Sequence, residues 1–453
     1  MPEPSLLVLN EDLRRELGLP DLGADTASIY SGAVLPGDAQ PIAAAYSGHQ
    51  FGSFNPTLGD GRAILLGEVV TPTGARFDLQ LKGSGRTPFS RGGDGRAALG
   101  PILREALVSE AMHHLGIPTT RVLAAVATGD EVRRERYLPG AVLTRVGASH
   151  LRVGTLQFLA SRRETGLLAD AVAHALARHY PLRADDPNPA LALLQEVTHS
   201  QAMLIARWMH VGFVHGVMNT DNTTLSGEVI DYGPCAFIDT YDPAAVFSSI
   251  DRTGRYAFGN QGHIGQWNMA RLGEALLPML DPNDDSAIAL VHGVLETYAT
   301  VHAAAILDGF RRKLGLAGED ERDEEIVRDL MGWMKADERD FTQSFRELAA
   351  SLRSEAPMSQ QNTFLAWNER WRARLADRPA ASVADAMDAV NPIYIPRNHL
   401  VEEALDSART GDMEPFHRFA RVLATPYTAQ AGAERYAQPA PPSFGEYQTF
   451  CGT

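Results

Sequence analysis

The sequence predicts an α+β protein with a β-rich first lobe, a second lobe and a helical extension. Alternating apolar and polar runs fill its first third, a polar motif follows a helical stretch near residue 215, and residues from 251 onward are mostly helical in pattern. A chain of 453 residues with 44% hydrophobic content is long enough for two or three domains. We expect the first lobe over residues 1–148, the second over 149–270 and the extension over 271–453.

Composition limits the partners and the compartment. The 56 acidic residues exceed the 41 basic ones and give a formal charge of −15, which argues against nucleic-acid binding as the main activity. Two cysteines, Cys235 and Cys451, are too few for a disulfide framework and favour a reducing compartment. We find neither a signal peptide nor an apolar run of about 18 residues, so we expect a cytoplasmic protein without a membrane partner.

The first lobe begins with two strands and a lysine. Residues 63–70 and 77–82 are β-rich and flank the turn TPTG. Phe77, Leu79 and Leu81 share one face of the second strand, so Lys82 is expected at the strand end on the opposite face. A glycine-rich loop, GSGRTPFSRGGDGR, follows.

A helix and two further strands complete this lobe. The helix is predicted over residues 101–115, where apolar residues recur at helical spacing and the sequence GIP ends the pattern. Glu105 lies off the apolar stripe, where it could orient Lys82 as a helix glutamate does in kinases. Glu110, on a different face of the helix, is the alternative partner. Residues 121–127 and 140–146 are β-like.

The second lobe carries a motif close to the catalytic loop of protein kinases. After a mainly helical stretch over residues 167–211, His215 and Asn222 keep the register of the kinase pattern H-R-D-x-x-x-x-N. Val217 takes the place of the catalytic aspartate and cannot accept a proton. Asp231 begins a DYG segment that resembles the kinase D-F-G. These matches predict a protein-kinase-like arrangement of the two lobes.

Two oxygen ligands and a base are predicted beside this motif. Asn222 and Asp231 flank a hairpin-like segment, TTLSGEVI, which would bring an amide oxygen and a carboxylate together. Mg²⁺, or Mn²⁺ in its place, needs few protein oxygens and takes other ligands from phosphates and water. Asp221 is the candidate general base that replaces the missing aspartate. An Asx-type turn residue is the alternative reading of Asp221.

Glycines and arginines supply candidate phosphate contacts. The loops fit neither the Walker nor the Rossmann pattern. Gly59, Gly61 and Arg62 could form a tight turn that meets a nucleotide, or a plain β-turn. Arg145 and Arg152 are expected near the junction of the lobes, where guanidinium groups could bind phosphate oxygens, although surface arginines are common.

Longer stretches resemble the selenoprotein O family, pseudokinase-fold enzymes that transfer AMP to proteins. The matching stretches cover most of the chain and are YSGHQFGSFNPTLGDGRA, LQLKGSGRTPFSRGGDGRAAL, REALVSEAMHHLGIPTTR, FVHGVMNTDN, IDYGP, GRYAFGNQGHIGQWN and NPIYIPRNHLVEEAL. In this family ATP is bound in a flipped orientation, so that the α-phosphate faces the acceptor hydroxyl. The absence of a kinase aspartate at Val217 would then reflect a different reaction.

The resemblance also assigns individual residues and a reaction. It implies nucleotide contacts at Gly59, Gly61, Arg62, Lys82, Asp94, Gly95, Arg145, Arg152 and Asp231, metal ligands at Asn222 and Asp231, and catalytic roles for Asp221, Lys82 and Glu105. The implied reaction is Mg²⁺-dependent transfer of AMP from ATP to Ser, Thr or Tyr hydroxyls of protein substrates, with release of pyrophosphate.

Three other functions remain open at this stage. A conventional kinase would transfer the γ-phosphate, an inactive scaffold would only bind nucleotide, and a close variant would transfer UMP from UTP. Cys451 lies third from the end, where animal relatives carry selenocysteine. The resemblance allows a redox role for Cys451, a disulfide with Cys235, or a mobile terminal thiol.

Overall fold

The computed structural model describes residues 1–354 and 356–450 of a mixed α/β protein, which confirms the predicted α+β class. Its strands are β1 Ser5–Leu9, β2 Gly48–Gln50, β3 Ser53–Asn55, β4 Ala63–Val70, β5 Arg76–Lys82, β6 Ala97–Ala98, β7 Arg121–Arg133, β8 Tyr137–Gly147, β9 Phe213–Val214 and β10 Ala236–Phe237. Its α-helices are α1 Glu11–Glu16, α2 Thr26–Tyr30, α3 Leu99–His114, α4 Val153–Ser161, α5 Thr165–His179, α6 Pro189–Val211, α7 Gln261–Leu280, α8 Asp284–Lys313, α9 Asp323–Ala336, α10 Phe341–Ser354, α11 Asn362–Leu375, α12 Ala380–Asp388, α13 Asn398–Arg409 and α14 Glu414–Leu423.

The largest sheet is antiparallel and carries Lys82 at the end of β5, the strand beside the edge strand β4. Its strand order is β1-β7-β8-β5-β4, and β6 also pairs with β8. The hairpin of β4 and β5 turns at Gly74, whose φ of 86° lies in the left-handed region that glycine adopts without strain. The register places Lys82 beside Ala63 on one neighbouring strand and Leu143 on the other. The strands predicted over residues 63–70 and 77–82 are confirmed.

Helix α3 packs across this sheet and brings Glu105 to it. The helix begins two residues before the predicted start and ends ahead of Gly116, whose φ is 77°. Leu103 and Leu107 are buried in a core shared with β7, β8, α13 and α14. Because this face is fixed in the core, Glu105 is held on the turn of the helix that reaches Lys82 on β5.

A helical core supports the segment that carries the kinase-like motif. Helix α6 begins at Asn188, whose side chain accepts a hydrogen bond from the backbone of Leu191, and ends at Gly212 with a φ of 75°. This left-handed C-cap turns the chain into β9, which pairs with β10. Helices α4 to α8 share one apolar cluster that includes Leu225 of the segment after β9. The predicted helical character of residues 167–211 is therefore confirmed in outline.

The sequence has an amphipathic helical pattern over residues 324–352, and the structure divides this stretch into two helices. Helix α9 ends near Ala336 and α10 begins at Phe341. Glu338 between them takes a φ of 50°, which interrupts helical geometry. Asp340 then accepts a hydrogen bond from the backbone of Gln343 and stabilises the start of the second helix.

Helix α8 differs from the expectation that no stretch approaches a membrane span. Among the described residues, it alone is long and apolar enough by length and composition to cross a membrane. Of its most apolar stretch, 17% is buried. The helix packs against α6 and α7, and core helices of soluble proteins pass the same test.

Candidate active site

One large cavity gathers the residues singled out in the sequence. Its volume is about 980 Å³, and both the largest sheet and the segment 217–231 contribute to its wall. The predicted nucleotide and metal residues that line it are Gly59, Gly61, Arg62, Lys82, Asp94, Gly95, Arg145, Arg152, Asp221, Asn222 and Asp231. Glu105 lies behind Lys82 and lines a second cavity of about 690 Å³. The structure thus brings every predicted site residue to one region.

Lys82 connects the sheet, helix α3 and the DYG segment. Its Nζ lies 2.5 Å from Oε2 of Glu105 and 3.1 Å from Oδ1 of Asp231. The predicted partner Glu105, and not the alternative Glu110, therefore holds the lysine. Glu110 instead accepts hydrogen bonds from Arg121 at the start of β7. Lys82 is left facing the cavity between two carboxylates.

Arg145 is the second cation on Glu105. Its Nε and Nη2 lie 2.8 and 2.5 Å from Oε1 of Glu105, and Nη1 donates to Oε1 of Gln80 at 3.2 Å. Adjacent positions on β5 and β8 explain this contact, because Gln80 pairs directly with Arg145 in the sheet register. Sequence reasoning treated Arg145 only as a phosphate contact and missed its bond to Glu105.

The electrostatics of this cluster leave both carboxylates ionised. Burial raises the pKa of Glu105, but the charges of Arg145 and Lys82 outweigh it and lower the pKa below its ordinary value. Burial likewise opposes ionisation of Asp231, whereas Lys82, Arg62 and Arg145 hold its pKa well below the usual range. Three cations therefore face two carboxylates, and this excess of positive charge suits a phosphate-bearing ligand.

Arg152 contacts the backbone of Asp221, the candidate base. Its Nη1 donates to the backbone carbonyl of Asp221 at 3.1 Å, and its Nη2 lies 3.3 Å from Oδ1 of Asp60. The guanidinium also lies over the ring of Tyr46, 4.4 Å from the centroid. Asp60 and Tyr46 were missed as individual residues. Both stand inside the stretch YSGHQFGSFNPTLGDGRA, whose unusual density of polar residues and glycine was the available signal.

The two glycine-rich loops pack against each other at the cavity wall. Gly59 has a φ of 64°, and a Cβ there would lie 2.2 Å from the ring of Phe89, so glycine is required. Thr87 and Ser90 donate side-chain hydrogen bonds to the carbonyl groups of Asp60 and Gly61, each at 2.6 Å. Residues 59–62, with the sequence GDGR, thus belong to two loops that pack against each other and do not form an isolated surface turn.

Asp94 lies farther out in the second glycine-rich loop. Its carboxylate pairs with Arg134 of the β7–β8 connection, with Oδ2 2.9 Å from Nη1. The hydrogen bond from Arg134 is the main cause that lowers the pKa of Asp94. Gly95 beside it has a φ of 66°, and a Cβ would lie 2.0 Å from the carbonyl oxygen of Gly85. Sequence reasoning did not identify Arg134.

Asp221 has one carboxylate oxygen with a partner and one without. Oδ2 accepts a hydrogen bond from Nε2 of Gln50 at 3.2 Å, whereas Oδ1 is buried and has no hydrogen-bond partner. Desolvation raises the pKa of Asp221 to about 6, despite the opposing charge of Arg152. Val217, in the position of the kinase aspartate, lines the same cavity with an apolar side chain.

His215 has a structural position in the described chain. It is buried against Trp208, with ring centroids 5.5 Å apart, and its Nε2 lies 3.3 Å from the carbonyl oxygen of Ile230. Its backbone nitrogen donates to Oε1 of Gln261. Burial is the main cause that lowers the pKa of His215, so it is neutral at pH 7. These contacts join the catalytic-loop motif to the segment that ends at Asp231.

The predicted metal ligands fit a magnesium ion by their chemistry. Asn222 and Asp231 both line the cavity and offer an amide oxygen and an ionised carboxylate. Nδ2 of Asn222 donates to the carbonyl of Val217 at 3.1 Å, which leaves the amide oxygen as the group able to bind a cation. Among the residues the structure describes, no group of three or more His, Cys, Asp or Glu side chains forms a metal cluster. A small set of protein oxygens is what Mg²⁺ uses beside phosphates and water.

Of the two cysteines in the predicted redox pair, the structure describes Cys235. Cys235 is a buried free thiol whose Sγ lies 3.3 Å from the carbonyl oxygen of Tyr232. Burial raises the pKa of the Cys235 thiol to about 12, which disfavours the reactive thiolate. Cys451 lies outside the described residues, so its pairing remains a prediction.

The fold and the cavity together define a mixed α/β protein with a cationic pocket, a buried carboxylate at Asp221 and two oxygen-bearing side chains at Asn222 and Asp231. Comparison with known proteins gives the family. The model of the family described as protein adenylyltransferase SelO matches residues 1–424, and the chain belongs to that family.

Curated relatives agree with this assignment. The protein nucleotidyltransferase YdiU of Cereibacter sphaeroides strain KD131 is 56% identical over 461 residues, covering 100% of this chain and 95% of the relative. The protein of the same name from Rhizobium leguminosarum bv. trifolii strain WSM2304 is 54% identical over 463 residues, covering 100% and 93%. The predicted enzyme class, a nucleotidyltransferase, is confirmed, with a nucleotide and proteins as its substrates.

Proposed function

We propose that this enzyme transfers AMP from ATP to Ser, Thr or Tyr hydroxyls of proteins and releases pyrophosphate. One observation carries the proposal: Arg62, Lys82, Arg145 and Arg152 line the same cavity as Asp221, while apolar Val217 occupies the kinase base position. The usual kinase base would stand at position 217, so a conventional kinase would have to use Asp221 with its ATP unflipped. The family description, an adenylyltransferase, supports AMP as the transferred group.

The proposal includes a flipped ATP. Arg145 and Arg152 are among the most buried charged residues of the chain, at 3% and 6% exposure. Glu105 and Asp60 already pair with these arginines, and β- and γ-phosphates would give each guanidinium a further anionic partner, which an adenine ring would not. A triphosphate inserted this way leaves its α-phosphorus nearer the catalytic loop. In the sequence-based rival of an unflipped kinase, Arg145 and Arg152 would keep only their protein partners, Glu105 and Asp60.

The residues then divide the reaction among them. The acceptor hydroxyl attacks the α-phosphorus, its proton passes to the carboxylate of Asp221, and the bond from the α-phosphorus to the bridging oxygen of pyrophosphate breaks. Lys82 and the arginines stabilise the charge that develops on the leaving pyrophosphate. Asn222 and Asp231 would hold Mg²⁺, which supplies further charge neutralisation at the phosphate oxygens when bound.

We also propose the kinase-like, two-lobed architecture. Its support is the order of features along the chain: an antiparallel sheet, a strand lysine bound to a helix glutamate, the catalytic-loop motif and the DYG segment. The corresponding boundaries are residues 1–148, 149–270 and 271–453. The cytoplasmic location and the absence of nucleic-acid and membrane partners stay part of the proposal.

The experiment uses ATP labelled at either the α- or the γ-phosphate. The purified protein is incubated with Mg²⁺, a mixture of protein acceptors and each label, beside Asp231→Ala and the matched control Asp38→Ala, an exposed aspartate that does not line the cavity. We expect label in protein only from α-labelled ATP, lost in Asp231→Ala and kept in Asp38→Ala. Label from the γ-position alone would establish a conventional kinase. Binding without any label transfer would establish a scaffold.

A parallel reaction tests the choice of nucleotide. Equal concentrations of α-labelled ATP and α-labelled UTP are compared under the same conditions. We expect the ATP reaction to have the larger kcat/KM. A larger value with UTP would replace adenylyl transfer by uridylyl transfer and leave the residue roles unchanged.

A further inference from the structure

A short hairpin from the first lobe holds three consecutive residues of the catalytic loop. Strands β2 and β3 form this hairpin over residues 48–55. The backbone nitrogen of His49 donates to Oγ1 of Thr220 at 2.7 Å, the side chain of Gln50 donates to Asp221, and the backbone nitrogen of Phe51 donates to Oδ1 of Asn219 at 3.2 Å. Each of these hydrogen bonds joins residues that are 168 to 171 positions apart in the sequence.

The hairpin is fixed by its turn and by its flanks. Phe51 and Gly52 both have left-handed backbones, with φ of 51° and 88°, and this conformation is strained for phenylalanine. The contact of Phe51 with Asn219 and with the hydroxyl of Tyr256 offsets that strain. Gln157 of α4 adds a brace, because it donates to Nδ1 of His49 and accepts from Thr220.

The hairpin also shapes the space around the Asp221 carboxylate. A Cβ on Gly48 would lie 2.4 Å from Oδ1 of Asp221, so any side chain there would displace the carboxylate. Gln50 lines the main cavity and occupies Oδ2, leaving Oδ1 as the oxygen without a partner. The two hairpin positions together select one orientation of the carboxylate.

We propose that Gln50 is a positioning residue that orients Asp221 for proton acceptance, with Gly48 providing the room for its free oxygen. The inference rests on the proposed function of Asp221 as the base. Packing alone does not account for Gln50, because backbone groups of His49 and Phe51 already attach the hairpin to the loop. The hydrogen bond of the Gln50 side chain goes to Asp221.

Gln50 is a neutral donor to the Asp221 carboxylate, whereas the charged groups nearby make other contacts. Arg152 donates to the backbone carbonyl of Asp221 and not to its carboxylate. Asp231 lines the same cavity and accepts a hydrogen bond from Lys82. Gln50 thus fixes the carboxylate without neutralising the charge that accepts the proton.

The test is a kinetic double-mutant cycle on α-label transfer with Gln50→Leu, Asp221→Asn and the double variant. Ser53→Ala, at an exposed hairpin position without a side-chain hydrogen bond, is the matched control. We expect Gln50→Leu to lower kcat by about 10- to 100-fold with the KM for ATP within about twofold, because a misplaced base affects the chemical step. In the Asp221→Asn background the same change should alter kcat by less than about twofold.

Each other outcome bears on the proposal. An equal loss of kcat from Gln50→Leu in both backgrounds would show a structural role and overturn the inference, as would wild-type kcat in Gln50→Leu. If Gln50→Leu unfolds, Gly48→Ala replaces it in the cycle with the same expectation, read beside its melting temperature. If the unsubstituted protein transfers no label, the proposed function itself is overturned. If the unsubstituted protein is active and only the expected effect of the Gln50 variants is missing, the inference about Gln50 alone is overturned.

Discussion

Glu105 and Arg145 form a buried ion pair in which Nε and Nη2 of the arginine both bind Oε1 of the glutamate. The other oxygen of Glu105 binds Lys82, so one carboxylate on α3 orients two cations on two different strands. Both side chains of the Glu105–Arg145 pair are at most 4% exposed. The pair therefore links the stability of the first lobe to the geometry of the cavity.

Replacing Arg145 by alanine should destabilise the protein even without nucleotide. Removing one partner from a buried pair costs about 3–5 kcal/mol, and we expect about 3 kcal/mol because Lys82 still compensates Glu105. Urea unfolding of Arg145→Ala measures this change. Arg76→Ala serves as the control, since its pair with Glu68 is exposed and should contribute less than about 1 kcal/mol. Equal effects of the two variants would contradict the assignment.

Asp221→Asn should affect chemistry far more than nucleotide binding. The carboxylate contacts Gln50, whereas Arg152 binds the backbone carbonyl, which asparagine keeps. Loss of a general base lowers rates by roughly 10²- to 10⁴-fold, so we expect kcat to fall by that factor with little change in the KM for ATP. Steady-state kinetics with Asp38→Asn as a control would measure it. A raised KM with unchanged kcat would instead mean that Asp221 binds nucleotide.

Removal of metal should abolish transfer, and Asn222 should set the metal requirement. A chelator is expected to stop α-label incorporation, and added Mg²⁺ is expected to restore it.

Asn222→Ala should raise the Mg²⁺ concentration at half-maximal rate by about tenfold or more, because loss of one ligand costs at least about 1.4 kcal/mol. Asn362→Ala, an exposed residue on α11, is the matched control. An unchanged Mg²⁺ dependence in Asn222→Ala would remove it from the ligand set.

Local patterns in the sequence predicted the parts of the fold that depend on local physics. The alternation in 77–82 and the turn TPTG defined β4 and β5, and the sequence GIP defined the end of α3 to within about one residue. The pairing of Lys82 with Glu105 followed from the kinase pattern. These features depend on backbone preferences and on spacing within one element or between neighbouring elements.

Contacts between distant segments could not be predicted in the same way. Gln50 meets Asp221 across 171 positions, and Arg152 meets Asp60 across 92. No local period encodes such a pair, because only the packed hairpin and loops bring the side chains together. The break at Glu338 was missed for a related reason: the apolar pattern continues across α9 and α10, and a single left-handed residue separates them.

Lys313 shows how strongly tertiary packing can override a local pattern. It ends α8 in the sequence RRK, a cationic last turn that sequence patterns place in solvent near the negative end of the helix. Lys313 is only 4% exposed, and its Nζ lies 4.0 Å from the ring centroid of Phe345. Among the described residues no carboxylate lies within ion-pair distance of it. Desolvation lowers the pKa of Lys313 to about 7.

Replacing Lys313 by methionine should therefore stabilise the protein most at neutral pH. The pKa falls from 10.5 to about 7 on folding, so between these values the unfolded chain binds one more proton than the folded chain. The free energy of unfolding of the unsubstituted protein then rises by roughly 1.4 kcal/mol per pH unit across this range from this group. Methionine removes that dependence, so the advantage of Lys313→Met should shrink by the same amount per unit as the pH rises. Urea unfolding at pH 7, 8 and 9 measures the difference, with Lys335→Met, whose side chain is 56% exposed, as the control. A difference that does not vary with pH would mean that Lys313 keeps its charge in the folded protein, held by the aromatic rings of Phe341 and Phe345.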